Sequence, residues 1–113
     1  MPDFRIAVLP GDGIGPDVTN EGLKTLRAVE TVLPELRFHC DELSVGAGEF
    51  LRSGNPLPPE TMERMKDYDA ILLGAMGLPG VRWPDGKEMT PQIDIREVLD
   101  LYCGVRPIRT YHP

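Results

Sequence analysis

The stretch Ile6–Val18, IAVLPGDGIGPDV, carries a strand, a tight turn and a helix start in immediate succession. Ile6-Ala7-Val8-Leu9 is a continuous apolar run closed by Pro10-Gly11. A short run of this kind, bounded by breakers, suits a strand covered on both faces, as in a parallel sheet. Proline is favoured at the first helical position, where its missing N–H leaves no bond unmade. A helix is therefore predicted from Gly15 or Pro16. Val18, Gly22, Leu26, Val29 and Leu33 recur at spacings of 4, 4, 3 and 4, one helical stripe on which Gly22 allows close backbone approach. Pro34 marks its end.

Outward from this unit the alternation continues. Leu36–Cys40 is a candidate second strand, half polar because of Arg37 and His39. Gly46-Ala47-Gly48 leads into a short helix that Ser53-Gly54-Asn55-Pro56 ends, and another helix is expected from Pro58-Pro59-Glu60 to Lys66. Ala70–Leu73 is the second apolar run, expected as a buried strand stopping at Gly74. A loop follows from Gly77 to Gly86, then a helix over Ile93–Leu99 and an extended segment over Tyr102–Ile108, where Pro107 points to a sheet edge or strand end. Strand and helix in alternation predict an α/β fold, a parallel-sheet sandwich with helical crossovers. Residues 1–100 are read as the first part of one α/β domain, and 101–113 as a strand entering a second. A strand reached without a closing helix predicts truncation.

Charge narrows the function classes. Twelve basic against 18 acidic residues leave a net charge of −6, which disfavours nucleic acid or an anionic membrane as partner. No apolar run approaches the roughly 18–20 residues of a spanning helix. The N-terminus lacks the apolar core of a signal peptide. Two cysteines, Cys40 and Cys103, make no disulfide framework. A reducing cytoplasm is the expected compartment, and Cys103 is expected in the core.

The Gly11–Pro16 turn faces backbone N–H groups towards any anion at the helix start. It is not the dinucleotide fingerprint, because Pro16 stands where G-x-G-x-x-G requires glycine, and no Gly-Lys-Ser/Thr follows to make a P-loop. Asp41 and Glu42 stand where a ribose-binding acid would be sought, but the broken fingerprint weakens that reading. A tight turn needing glycine is the plain alternative. Arg96 and Arg106 lie ten residues apart, on a predicted helix and on the segment that follows. A turn between them brings two guanidiniums together, an arrangement suited to carboxylates held bidentately. The plain alternative is two surface arginines with acidic neighbours such as Glu97 and Asp100. His39 and Cys40 point to opposite faces of a strand, and Asp12, Asp17 and Asp41 have no metal-ligand spacing. No nucleophile–base set can be assembled.

Three motifs together carry a resemblance. Ile6–Val18, Asp69–Gly77 (DAILLGAMG) and Ile95–Pro107 (IREVLDLYCGVRP) resemble, in order and spacing, the N-terminal part of the isocitrate/isopropylmalate dehydrogenase family. The resemblance implies a β-hydroxyacid oxidative decarboxylase that uses NAD or NADP with Mg²⁺ or Mn²⁺, as a homodimer. It implies that Arg96 and Arg106 grip substrate carboxylates. Ile14 matches a position at the nicotinamide end of the cofactor, and the loop from Gly77 and Leu78 to Met89 matches a segment lying along it. The family often has Glu seven residues before the first substrate arginine; here Met89 holds that place and Glu88 is one residue off. Thr90 and Gln92 occupy positions that set substrate choice, and their polarity favours a more polar substituent than isopropyl. Capping of the helix is their plain alternative. The catalytic Tyr and Lys, a third substrate arginine and the metal-binding aspartates match nothing in this chain. The competing reading is a non-catalytic binding or interaction module derived from the family.

Overall fold

The central strand is β1, Asp3–Gly11, and everything else is arranged around it. A computed structural model describes residues 2–112; Met1 and Pro113, the outermost positions of the two expected domain segments, lie outside the described residues. After β1 come α1 (Gly15–Val32), β2 (Arg37–Glu42), α2 (Ala47–Ser53), α3 (Pro59–Met65), β3 (Ala70–Ala75) and α4 (Pro91–Val98). The sheet has the order β2-β1-β3 and both pairings are parallel, with Ile6 opposite Cys40 on one side and Ala70 on the other. The expected α/β alternation is therefore the observed one.

β1 runs through Pro10, two residues past the expected stop. Alternate strand residues bond opposite neighbours, and Val8 O accepts from Leu43 N at 2.8 Å. Position 10 faces the same side as Val8, where the β2 ladder has already ended at Val8–Glu42. A residue without an N–H is tolerated there. Ile6, Ala7, Val8 and Leu9 are all buried. Ala7 and Leu9 join Leu43, Val45, Met62, Met65 and Ile95 in the core on one face. Ile6 and Val8 alternate to the other face, where α1 packs across the sheet.

Five expectations are corrected. On α1 the buried residues are Gly15 and Thr19, whereas Val18 and Leu33 are exposed. The helix start lies so close to the strand turn that only small side chains fit there, and apolarity alone picks the wrong neighbour. β3 is an edge strand, so Ala70 and Leu73 are exposed instead of buried. Residues 102–112 form no strand, because no neighbour among the described residues takes up their backbone hydrogen bonds. Cys103 lies in that segment and is exposed, not a core residue. Finally, α4 starts at Pro91, two residues before the expected start, with proline in its first turn.

Candidate functional site

The chain leaves β1 towards one side to form β2 and returns on the other to form β3. In open parallel sheets, ligands bind outside the carboxyl ends of the strands where the winding changes direction. Here that place lies between the turn after β1 and the segment after β3. Gly11 has φ +75°, and a Cβ on it would stand 1.9 Å from Ala75 O. A Cβ on Gly15 would stand 2.0 Å from Pro10 O. The turn thus needs glycine both for backbone conformation and for space, as the plain alternative held. Asp12 N donates to Ala75 O at 2.6 Å and joins the two strand ends.

Asp12 is the residue that sequence reasoning passed over. It is buried, and its carboxylate accepts backbone N–H bonds from Ala47 (2.7 Å), Gly48 (2.8 Å) and Gly77 (2.8 Å). The available signal was an acid flanked by glycines at a strand end, together with a second glycine pair at Gly46 and Gly48.

Gly77, Leu78, Glu88 and Gln92 line one hollow of about 280 Å³ with Ala47 and Met89. Three of the four residues expected at the cofactor thus share a wall with one expected at the substrate. Met89 is buried in it, while Glu88 sits on the rim, ion-paired with Arg82 at 3.0 Å. Gln92 Oε1 is buried without a hydrogen-bond partner. Ile14, the fourth, is 66% exposed and faces a separate, broad depression over α1. The two regions adjoin, since Leu78 Cδ2 is 4.0 Å from where a Gly13 Cβ would be.

Arg96 and Arg106 line a second hollow, of about 440 Å³, at the far end of α4. Asp100, with φ +53°, turns the chain sharply after the helix, and Leu101 N donates to Arg96 O at 2.9 Å. Both arginines are exposed, and among the described residues neither forms an ion pair. Among the described residues Glu97 and Asp100 form no ion pair with either arginine, and the exposure of both is what the plain alternative of two surface arginines expects. Thr90 lies in neither hollow. It is the N-cap residue of α4, yet its side chain makes no capping bond; its carbonyl accepts from Ile93 and Asp94 N.

Other titratable groups are occupied structurally. Asp41 accepts from the Tyr68 hydroxyl at 2.9 Å, which gives it a partner other than a ribose. Burial pushes the Glu49 carboxyl up, but hydrogen bonds from Ser44, Arg52 and Ser53 outweigh it, and the net shift is downward. The Phe38 N–H, then Arg27, hold Glu30 below its ordinary value. Burial raises the Cys40 thiol. Among the described residues no three His, Cys, Asp or Glu side chains cluster to hold a metal ion, and no helix is long and apolar enough to cross a membrane.

The family profile described as isocitrate/isopropylmalate dehydrogenase matches residues 5–113. A 3-isopropylmalate dehydrogenase of Cyberlindnera jadinii is 40% identical over 109 residues, covering 95% of this chain and 30% of the relative. One from Corynebacterium efficiens is 39% identical over 108 residues, covering 96% and 30%. The crystal structure of a β-decarboxylating dehydrogenase from Thermococcus kodakarensis superposes with a TM-score of 0.67 at 35% identity, over 88% of this chain and 27% of that one. The chain thus spans about 30% of the length of the curated relatives it matches.

Proposed function

The chain belongs to the isocitrate/isopropylmalate dehydrogenase family, and from that membership we propose that it forms the N-terminal part of an NAD- or NADP-dependent, metal-requiring oxidative decarboxylase. Its substrate is a β-carboxy 2-hydroxy acid of the 3-isopropylmalate or isocitrate type, a small diacid or triacid. The observation that carries this reading is the hollow shared by Arg96 and Arg106, two guanidiniums without an acidic partner among the described residues. Two cations facing one space repel unless an anion lies between them, and the planar guanidinium fork binds carboxylates bidentately.

In this reading Arg96 and Arg106 hold the substrate carboxylates and so fix the hydroxyl-bearing carbon. A nicotinamide cofactor, when bound, supplies the hydride acceptor. The hollow of Gly77, Leu78 and Glu88 fits such a group: Ala47, Leu78 and Met89 give it apolar wall, Glu88 and Arg82 charge at its rim, and Gln92 a buried amide oxygen without a partner among the described residues. Ile14 projects at the neighbouring turn, open to the nicotinamide end. Gln92 in the hollow, and Thr90 two residues before it although it lines neither hollow, select the substituent on the hydroxy acid by their polarity. The described residues do not fit a Mg²⁺ or Mn²⁺ ion, for want of a ligand cluster. Function as a homodimer in the reducing cytoplasm completes the proposal.

The test is kinetic, in the full-length enzyme carrying this segment. Arg96→Lys and Arg106→Lys should each lower kcat/KM by on the order of 10²-fold, because lysine keeps the charge but loses the fork. Arg109→Lys should change it by no more than about threefold, as expected of a solvated side chain outside the hollow. Equal, small effects at all three positions would remove the arginine site.

A further inference from the structure

We propose that Asp12 is a positioning residue: its buried carboxylate presets the Gly77–Leu78 wall of the cofactor hollow before any ligand arrives. Oδ2 accepts the N–H groups of Ala47 and Gly77 at 2.7 and 2.8 Å, and Oδ1 accepts that of Gly48 at 2.8 Å. Asp12 itself is fastened to the end of β3 through its own N–H and Ala75 O. One side chain on the β1 turn therefore holds both the start of α2 and the first residues after β3.

Two of the three donors belong to the hollow, which Ala47 and Gly77 both line. No regular element holds Gly77, since β3 has ended at Ala75 and 76–78 is neither helix nor strand. Gly46 supplies the space: a Cβ there would stand 2.5 Å from Asp12 Oδ2. The surroundings of this carboxylate are shaped to admit it, and its bonds go to backbone, not to a catalytic partner. The Gly77 N–H is only part-buried, so without the carboxylate it is free to bond water instead, and the wall would be ordered only on binding. A ligand whose competent conformation is populated to about a tenth binds about tenfold more weakly. The link to a cofactor rests on the function proposed above; the link from Asp12 to the wall does not.

The experiment pairs amide hydrogen exchange with equilibrium binding of the reduced dinucleotides NADH and NADPH, in the full-length protein. The variants are Asp12→Ala, isosteric Asp12→Asn, and Glu49→Gln as a control of comparable burial on α2. Asp12→Ala should lose protection at Gly77, Ala47 and Gly48 while Leu43, bonded to Val8 O in the sheet, keeps it. The dinucleotide Kd should rise about tenfold. Asp12→Asn should lose protection on one side of the amide, because a single carbonyl oxygen cannot serve both oxygen positions. Glu49→Gln should leave Gly77 protection and Kd unchanged. If Asp12→Ala does not fold, Asp12→Asn decides by the same readout. Unchanged Gly77 protection in Asp12→Ala, or unchanged protection at all of Ala47, Gly48 and Gly77 in Asp12→Asn, overturns the proposal. So does lost protection with an unchanged Kd. A wild-type protein that binds neither dinucleotide overturns the functional reading instead, and the exchange pattern then decides the clamp by itself.

Discussion

Gly15 and Gly22 lie on the same helix, and substitution by alanine should have opposite signs at the two. A Cβ on Gly15 would stand 2.0 Å from Pro10 O and 3.0 Å from Ala75 N, both backbone atoms that cannot swing away. Gly15→Ala should therefore destabilise by about 3 kcal/mol, the upper range for forced overpacking. On Gly22 a Cβ would meet nothing closer than Leu72 Cδ2 at 3.7 Å, an ordinary contact. The close approach expected there from sequence is thus not what the residue serves, and Gly22→Ala should stabilise by about 0.5–1 kcal/mol through helix propensity and a less free unfolded chain. Urea denaturation midpoints of the two variants check this; a shared sign would contradict the packing described for α1.

Between elements, two glutamates link helices to their surroundings and make stability depend on pH. Glu30 near the end of α1 accepts from Phe38 N on β2 at 2.7 Å, and Glu49 on α2 accepts from Ser44 and Arg52. Both carboxyls are held below their ordinary value in the folded chain. A group with a depressed folded value contributes stability that is fully present above its unfolded value and is lost as pH falls towards the folded one. The loss should begin as pH drops through about 4.3, the ordinary glutamate value, and grow below it. Thermal melts of Glu30→Gln and Glu49→Gln from pH 7 to pH 3 should show a lower Tm at neutral pH and a flatter acid limb than the parent. Parallel curves would mean that neither carboxylate is linked to folding. β3 and the segment after α4 carry the other lesson at this scale. Apolar sequence marked Ala70–Leu73 as a strand, but its exposure follows from its place at the sheet edge, and periodicity carries no information about which strand lies outermost.

For the molecule as a whole, the consequence is incomplete cover. Leu73 on the edge strand and Leu101, Tyr102, Val105, Ile108 and Tyr111 beyond α4 are exposed. An edge strand with apolar side chains and a segment of exposed apolar side chains both promote association. The 113-residue chain by itself should sediment as a concentration-dependent mixture. It should also show no turnover of isocitrate or 3-isopropylmalate with NAD and Mn²⁺, since the two arginines of the proposed site would position a substrate but supply neither metal nor proton transfer. A strict monomer with a sharp high-temperature melt, or measurable turnover, would contradict this. Sequence by itself determined the alternation of strands and helices, the glycine turn after β1 and the two arginines that share a hollow. Each follows from a local cause: breakers at run ends, a proline at a helix start, a short spacing across one turn. Tertiary structure alone decided that Thr19 and not Val18 faces the sheet, that β3 is outermost, that Cys103 is exposed and that Asp12 joins Ala47, Gly48 and Gly77. Those depend on residues 35 to 65 positions apart meeting at one point, and that meeting is set by the order and spacing of packed strands, which no local window of sequence contains.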